Sequence, residues 1–269
     1  IRVLHKENGG LSRARNAGIS LANGRWIMFI DSDDTILSDF YQTLMAYAEE
    51  YDADVITSGF SIDGSDIVDI YTSGIYAGDS LKKIYSNMVF DEKKRRSGML
   101  CSLCTKIIKR ELFLESVKDY QSDMRLWEDL GYFYKIILAA RKIYISDYVG
   151  YIYRQNPNST SHKYNVERYT QTFDSFRYCL AAYKNTEAYT QIEIFAAYIL
   201  FLELLTMVDR AETYAQYKDF TDVNSITIEK SLGCIRANER IFNKNERHII
   251  KIMENGKYFT FPHAIEFLN

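Results

Sequence analysis

Trp26-Ile27-Met28-Phe29-Ile30 runs directly into Asp31-Ser32-Asp33-Asp34, an apolar stretch followed at once by three carboxylates. Gly24 precedes the run, which has the length and composition of a fully buried strand. A strand alternates its side chains, so Asp31 and Asp33 are expected to point the same way. Two hard oxygen ligands at a strand end suit Mg²⁺ or Mn²⁺. The ends of strands in an α/β sheet are also where such folds take ligands. The plainer alternative is a solvated acidic turn that caps the next helix.

Upstream, Ile1 to Leu4 reads as the tail of a strand, Gly9-Gly10 as a break, and Leu11 to Ala22 as a helix with Gly24 as its C-cap signal. Beginning at Ile1 inside strand-like sequence suggests that the protein continues upstream. Downstream, Ser38 is placed to cap a helix from Asp39 to about Tyr51. Strands follow at Asp54 to Phe60 and Ile67 to Tyr71, then a helix over Gly78 to Val89. A helix at Glu128 to Ala140 precedes strands at Lys142 to Ser146 and Tyr151 to Tyr153. Alternating helix and strand argues for an α/β fold. From about Asn165 the pattern turns helical: Glu167 to Tyr183, Glu187 to Arg210, Ile226 to Asn238 and Glu246 to Asn255. Two parts are expected, an α/β domain over 1–164 and a helical region over 165–269 for acceptor binding or oligomerisation.

The 269 residues suffice for one extended domain or two small ones. A net charge of −3 offers no global basic field for nucleic acid. The 22 tyrosines suit surfaces that both pack and hydrogen-bond, sugar sites included. Cys101 and Cys104 form a CxxC, but no second CxxC or nearby His completes a metal set, so they read as structural thiols. Reduced thiols point weakly to a cytoplasmic setting. The longest unbroken apolar run, Ile194 to Leu202, is too short for a membrane span and reads as a buried or partner-facing helix. Lys93-Lys94-Arg95-Arg96 is a solvated loop, or a contact for a phosphate-bearing acceptor or an anionic membrane.

Four ordered segments resemble the family 2 glycosyltransferases of the GT-A fold. The first is Asn8-x-Gly10-x-Ser12-x-Ala14-Arg15-Asn16-x-Gly18, the second Phe29-x-Asp31-Ser32-Asp33-Asp34. Trp127-Glu128-Asp129 is similar to the family's acidic pair at a helix start. Tyr151-x-Tyr153-Arg154 with Ser159-x-Ser161-His162 is similar to its closing segment. Lys106-Ile107-Ile108-Lys109-Arg110-Glu111-Leu112-Phe113 looks like the members that build bacterial capsule or other surface polysaccharides. The likeness spans roughly residues 1 to 165 and implies a GT-A-like, partly Rossmann-like mixed sheet with flanking helices, followed by the helical region. Family members carry upstream a strand and a D-D-G-S segment that this sequence lacks, so exposed sheet edge and apolar surface are expected.

The resemblance implies an inverting, metal-dependent transferase. Its donor would be a nucleotide sugar (UDP-linked as the first choice), its acceptor a glycan or lipid-linked sugar. It implies Mn²⁺ or Mg²⁺ held by Asp33 with Asp31, and His162 as a third ligand or diphosphate contact. Asp31 is also implied in holding ribose, and Asp34 in supporting the turn. Gly10, Ser12, Arg15, Asn16 and Arg154 are implied in nucleotide or diphosphate binding. Asp129 is the candidate general base, with Glu128 raising its pKa or binding acceptor hydroxyls. Placement in the cytoplasm, with a peripheral membrane contact or a homo-oligomer as options, completes the expectation. Ile27 to Thr35 also fits a haloacid dehalogenase-type phosphatase, with Asp31 as nucleophile and Asp33 as acid/base, though Lys83 stands where a later acid is wanted. A non-catalytic truncated module serving as an assembly surface is the other rival.

Overall fold

In a computed structural model of the chain, residues 2–118, 124, 126–155, 165–211 and 213–254 are described. The chain divides into two compact units, Ile1–Pro157 and Asn158–Asn269.

The first unit opens with α1 (Leu11–Leu21), β1 (Trp26–Ile27), β2 (Thr35–Ile36) and α2 (Phe40–Tyr51). Next come β3 (Val55–Ile62), β4 (Ser65–Ile67), β5 (Gly74–Ala77) and α3 (Leu81–Tyr85). It closes with β6 (Lys106–Lys109), α4 (Arg110–Val117), α5 (Glu128–Ala139) and β7 (Lys142–Tyr153). Among the described residues these strands form one mixed sheet in the order β1-β6-β3-β7-β2, with β4 on β3 and β5 on β7. β3 and β7 run parallel from Val55↔Ile143 to Ile62↔Tyr153, and the other pairs are antiparallel. The register shifts between Thr57 and Phe60, so the strand bends there. A Cβ at Gly59 would come within 2.6 Å of the Ile67 carbonyl oxygen, so only glycine admits this close crossing.

The first half of β3 and nearly all of β6 are buried on both faces, because both faces are covered. Ile56 and Ile107 pack with Phe40, Leu44 and Ala48 of α2. Their neighbours alternate to the opposite face, where the Lys106 ammonium lies 5.1 Å over the Phe133 ring of α5. α5 is buried at Leu130, Phe133, Ile136 and Ile137.

Several sequence expectations need correction. Residues 2–4 form no strand, and α1 ends on Ala22 in extended conformation, with no glycine cap at Gly24. The strand before the acids covers Trp26–Ile27 alone, and Ile30 is 52% exposed. The cause is position: β1 is an edge strand paired only to β6, so nothing extends the ladder past Ile27. Val3, Leu4, Leu11, Leu21 and Ile30 are exposed apolar residues on and around this edge of the unit. The strand expected at Ile67 to Tyr71 is β4, ending at Ile67, and α3 covers only part of Gly78 to Val89. Lys142 to Tyr153 is one strand, because β5 pairs with its first half and β2 with its second.

The second unit is helical: α6 (Arg168–Ala182), α7 (Tyr189–Asp209), α8 (Tyr214–Ala237) and α9 (Lys244–Glu254). Thr213 and Gln216 form a reciprocal capping box that starts α8, 12 residues earlier than the apolar pattern alone suggests (226 − 214 = 12). Leu200, Phe201, Leu204 and Leu205 of α7 pack with Ile228, Leu232, Ile249 and Met253. Arg168 bonds Glu203 at 3.0 Å, which offsets the cost of an acid largely buried in the apolar part of α7. Over Tyr189–Val208, α7 is long and apolar enough by composition to cross a membrane, but 72% of its most apolar window is buried in the unit.

Candidate functional site

Arg15 sits on the inward face of α1 and is 7% exposed. The helix starts where Gly10 takes φ 83°, a conformation costly for any side chain, and Asn8 Oδ1 accepts the Gly10 N–H at 3.1 Å. From this start Arg15 points into a cluster of acids. Its Nη1 donates to Asp129 Oδ1 and lies 3.8 Å from Glu128 Oε1, while Nη2 is 3.5 Å from Asp31 Oδ1. The guanidinium also lies 5.5 Å over the Phe29 ring and 4.0 Å from Cys104 Sγ. Burial opposes its charge, but Asp129 first, then Cys104, Asp31 and Glu128, more than restore it, so its pKa lies above the ordinary value.

Glu128 and Asp129 open α5, where carboxylates meet the positive end of the helix. Trp127, in the left-handed region at φ 61°, turns the chain into that helix. Asp129 Oδ2 accepts the Leu103 N–H at 3.1 Å, so each of its oxygens has a fixed donor. Burial pushes the Asp129 carboxyl upward and Asp31 adds to this, against the opposing pull of Arg15 and the Leu103 amide. Burial and then Asp129 likewise raise Glu128. The Asp129 side chain keeps 18% exposure.

The acidic segment is a turn, not a strand end: Asp34 N–H donates to the Asp31 carbonyl at 3.2 Å. Strand alternation therefore does not orient Asp31 and Asp33, yet both line one groove of about 720 Å³ with Arg15, Phe29 and Tyr153. Asp34 takes the supporting part: it accepts from the Tyr151 hydroxyl and, at 3.0 Å, from the Arg154 N–H. The Tyr151 hydroxyl in turn accepts the Asp31 N–H at 3.3 Å. A second cavity, about 330 Å³, lies between Asp31, Asp34, Phe60, Thr105, Tyr151 and Tyr153. The two cavities share Asp31, Asp34 and Tyr153.

The fold thus gathers Arg15, Asp31, Glu128 and Asp129; Arg15, Asp31 and Asp33 line the groove, and Glu128 and Asp129 are joined to it through Arg15. Among the described residues no group of three or more His, Cys, Asp or Glu side chains is placed to hold a metal. Asp34 accepts on both of its oxygens, so the carboxylates left to consider are exposed Asp33 and Asp31, whose Oδ1 faces Arg15. Two carboxylates completed by ligand phosphates and water are the donor set Mg²⁺ ordinarily takes, so the residues fit such an ion. His162, Ser159 and Ser161 lie outside the described residues. Arg154 meets the turn through its main chain, and its side chain is exposed. Asn16 accepts from the Tyr132 hydroxyl at 3.1 Å and buried Ser12 neighbours the same tyrosine, so both brace α1 against α5. Phe29 beneath Arg15, the Leu103 amide and the Tyr151 hydroxyl carry no signal in the sequence as partners of these acids. Only the spacing of Tyr151 within the closing segment pointed there.

Residues 1–115 match the model of glycosyl transferase family 2. The uncharacterized glycosyltransferase EpsJ of Bacillus subtilis is 34% identical over 160 residues, 59% of this chain and 46% of its own length. Glycosyltransferase GlyG of Streptococcus pneumoniae is 34% identical over 166 residues, 59% of this chain and 54% of its own. The chain spans about half the length of these curated relatives. The minor teichoic acid biosynthesis protein GgaB of B. subtilis aligns over 97% of this chain at 24% identity, covering 29% of its own length. The crystal structure of S. aureus TarS 1–349 in complex with UDP-GlcNAc matches 98% of this chain and 73% of its own, with TM-score 0.61 and 16% identity. That likeness speaks for the fold: a mixed sheet with flanking helices of the GT-A kind, and a helical region after it. The segment that matches the family model includes Asp31-Ser32-Asp33, which favours the transferase reading of these acids over the phosphatase one.

Proposed function

We propose that this chain, whose residues 1–115 are a glycosyl transferase family 2 domain, moves a sugar from a nucleotide donor to a hydroxyl of a glycan or lipid-linked acceptor. UDP is the first choice of nucleotide, supported by the UDP-GlcNAc complex of TarS, and bacterial surface polysaccharide is the setting, supported by the likeness to a minor teichoic acid biosynthesis protein. The observation that carries the reading is the position of Arg15, in contact with Asp31 of the acidic turn and with the Glu128–Asp129 pair at once.

In this reading Asp129 takes the proton of the acceptor hydroxyl as that oxygen attacks the anomeric carbon. The new carbon–oxygen bond forms as the bond to the diphosphate breaks, which inverts the configuration. Its raised pKa, caused first by burial, makes Asp129 a stronger base than a solvated carboxylate. The Leu103 amide and Arg15 hold its two oxygens in place. Arg15 also supplies fixed positive charge on the side facing the acidic turn. Asp31 and Asp33 would hold the divalent ion, which neutralises charge on the departing diphosphate when bound. The two cavities that meet at Asp31 suit the two halves of a donor. The larger takes the diphosphate side, and the smaller, walled by Phe60, Tyr151 and Tyr153, takes a sugar ring. Acceptor contacts or self-association are assigned to the helical unit.

Calorimetric titration of UDP with and without Mn²⁺, beside Asp33→Ala, tests this. Metal-dependent binding that disappears in the variant is the expected result. A folded chain that binds no nucleotide in either condition would sink the proposal.

A further inference from the structure

We infer that Asp69 is a positioning residue for Asp129, acting through the buried segment 99–105 that lies between them. This rests on the reading of Asp129 as the base only for its effect on transfer.

Asp69 follows β4 and is 6% exposed, far from the groove in sequence and absent from every motif above. A carboxylate there is costly unless its oxygens are satisfied. Thr57 Oγ1 donates to Oδ2 at 2.8 Å and the Leu100 N–H donates to Oδ1 at 2.7 Å. Thr57 faces Lys106 across the sheet, and Lys106 is itself fully buried. The Lys106 ammonium donates to Thr105 Oγ1 at 2.5 Å, and that hydroxyl donates to the Ser102 carbonyl at 3.3 Å.

The segment is therefore pinned at Leu100 by Asp69 and at Thr105 by Lys106. Between the two pins, Leu103 presents its N–H to Asp129 Oδ2 at 3.1 Å. Losing the pin at Leu100 frees the backbone three residues before that amide. Asp129 would then keep Arg15 on one oxygen and lose the fixed donor on the other. The carboxyl group accepts from the amide and from Thr57 together, one on each oxygen. An asparagine offers one acceptor oxygen in place of two, so it cannot accept from the Leu100 amide and Thr57 Oγ1 on separate oxygens. Supporting contacts of this kind commonly change activity by about 10–100-fold, and misplacing a reacting group by about 1 Å is enough to do so.

Backbone hydrogen exchange on the full chain provides the first test, comparing wild type with Asp69→Asn. The Leu103 amide is expected to exchange at least ~10-fold faster in the variant, with Ile107 and Ile108 of β6 unchanged. Faster exchange at Leu100 with Leu103 unaltered would overturn the inference. In a transfer assay, Asp69→Asn is expected to lower kcat by about 10–100-fold at unchanged donor KM. In an Asp129→Asn background the same change should cost almost nothing further, and an equal cost in both backgrounds would also overturn it. If Asp69→Asn does not fold, Thr57→Val takes its place in both tests, with Thr57→Ser expected to restore the wild-type values. A wild-type chain that transfers no sugar defeats the proposed function, while the exchange result still decides the role of Asp69.

Discussion

Arg15 and Asp129 stand 114 residues apart in sequence and share a buried ion pair that ties the first helix to the start of the fifth. Around that guanidinium the approach of Asp31 and Glu128 makes it the common counter-charge of three carboxylates. Replacing it with an apolar side chain of similar length leaves those acids buried together. Arg15→Met is expected to destabilise the first unit by about 3–5 kcal/mol, read as a lower urea midpoint. A midpoint unchanged from wild type would show that the acids do not need the pair.

Asp129 carries the pH dependence of the proposed chemistry. A base works when deprotonated, and burial followed by the charge of Asp31 raises this carboxyl. The acid limb of kcat against pH is therefore expected above the ordinary carboxylate range, with activity rising as pH rises through it. Arg15 opposes the shift and Glu128 and Asp31 face the same group, so one limb belongs to the cluster. Asp129→Asn should remove the limb and lower kcat by about 10²–10⁴-fold, while UDP affinity by calorimetry stays within twofold or so. Retention of the limb in the variant would assign the base elsewhere.

Asp54 holds the opposite end of the sheet. Its carboxylate accepts Lys109 Nζ at 2.9 Å and the Arg141 and Lys142 amides at 2.8 and 3.0 Å. Burial works to raise its pKa, but the Lys109 bond and the two amides prevail and hold it below the usual range. A depressed folded pKa means that the stabilisation is present above the unfolded carboxylate value and lost as pH falls through the folded one. Asp54→Ala should cost about 1–3 kcal/mol at pH 7, and the difference from wild type should shrink below about pH 4. Parallel denaturation curves at every pH would contradict this.

Cys101 and Cys104 lie in the segment that presents the Leu103 amide. Burial, followed by the nearby charge of Asp129 for one and Asp31 for the other, pushes both thiols up to about 12. Neither is a thiolate at pH 8, so neither behaves as the nucleophile of a redox pair. Alkylation by iodoacetamide, followed by mass spectrometry, should be slow on the native chain and fast in guanidinium. Prompt labelling of native Cys104 would refute the assignment.

The residue types and order of the candidate site were legible in the sequence, because Arg15, the acidic turn and Glu128–Asp129 occur as motifs with fixed spacing. Their mutual geometry was not. Arg15 on an amphipathic helix reads as an ordinary surface cation until α5 is folded against it, since the pairing depends on contacts across more than a hundred residues. The apolar run before Asp31 promised a longer strand than forms, because hydrophobic patterning reports burial but not whether a partner strand is present. β2 and β5 are two and four residues long and owe their strand form to β7, not to any local signal. Asp69 and Lys106 look like surface charges on composition alone. Burial made them visible.

β7 is a single 12-residue strand whose first half meets Asp54 and β5 and whose second half meets Asp34 and β2. A one-residue slip in a strand sends every later side chain to the opposite face. The pairing with β3 already shifts between Ile145 and Tyr151, so one further amino acid inserted or deleted just before Tyr151 would swing it away from the acidic turn without altering any residue of the site. At that position chain length matters to the site more than residue identity does: a codon gained or lost is expected to dismantle the turn that a point substitution would leave standing.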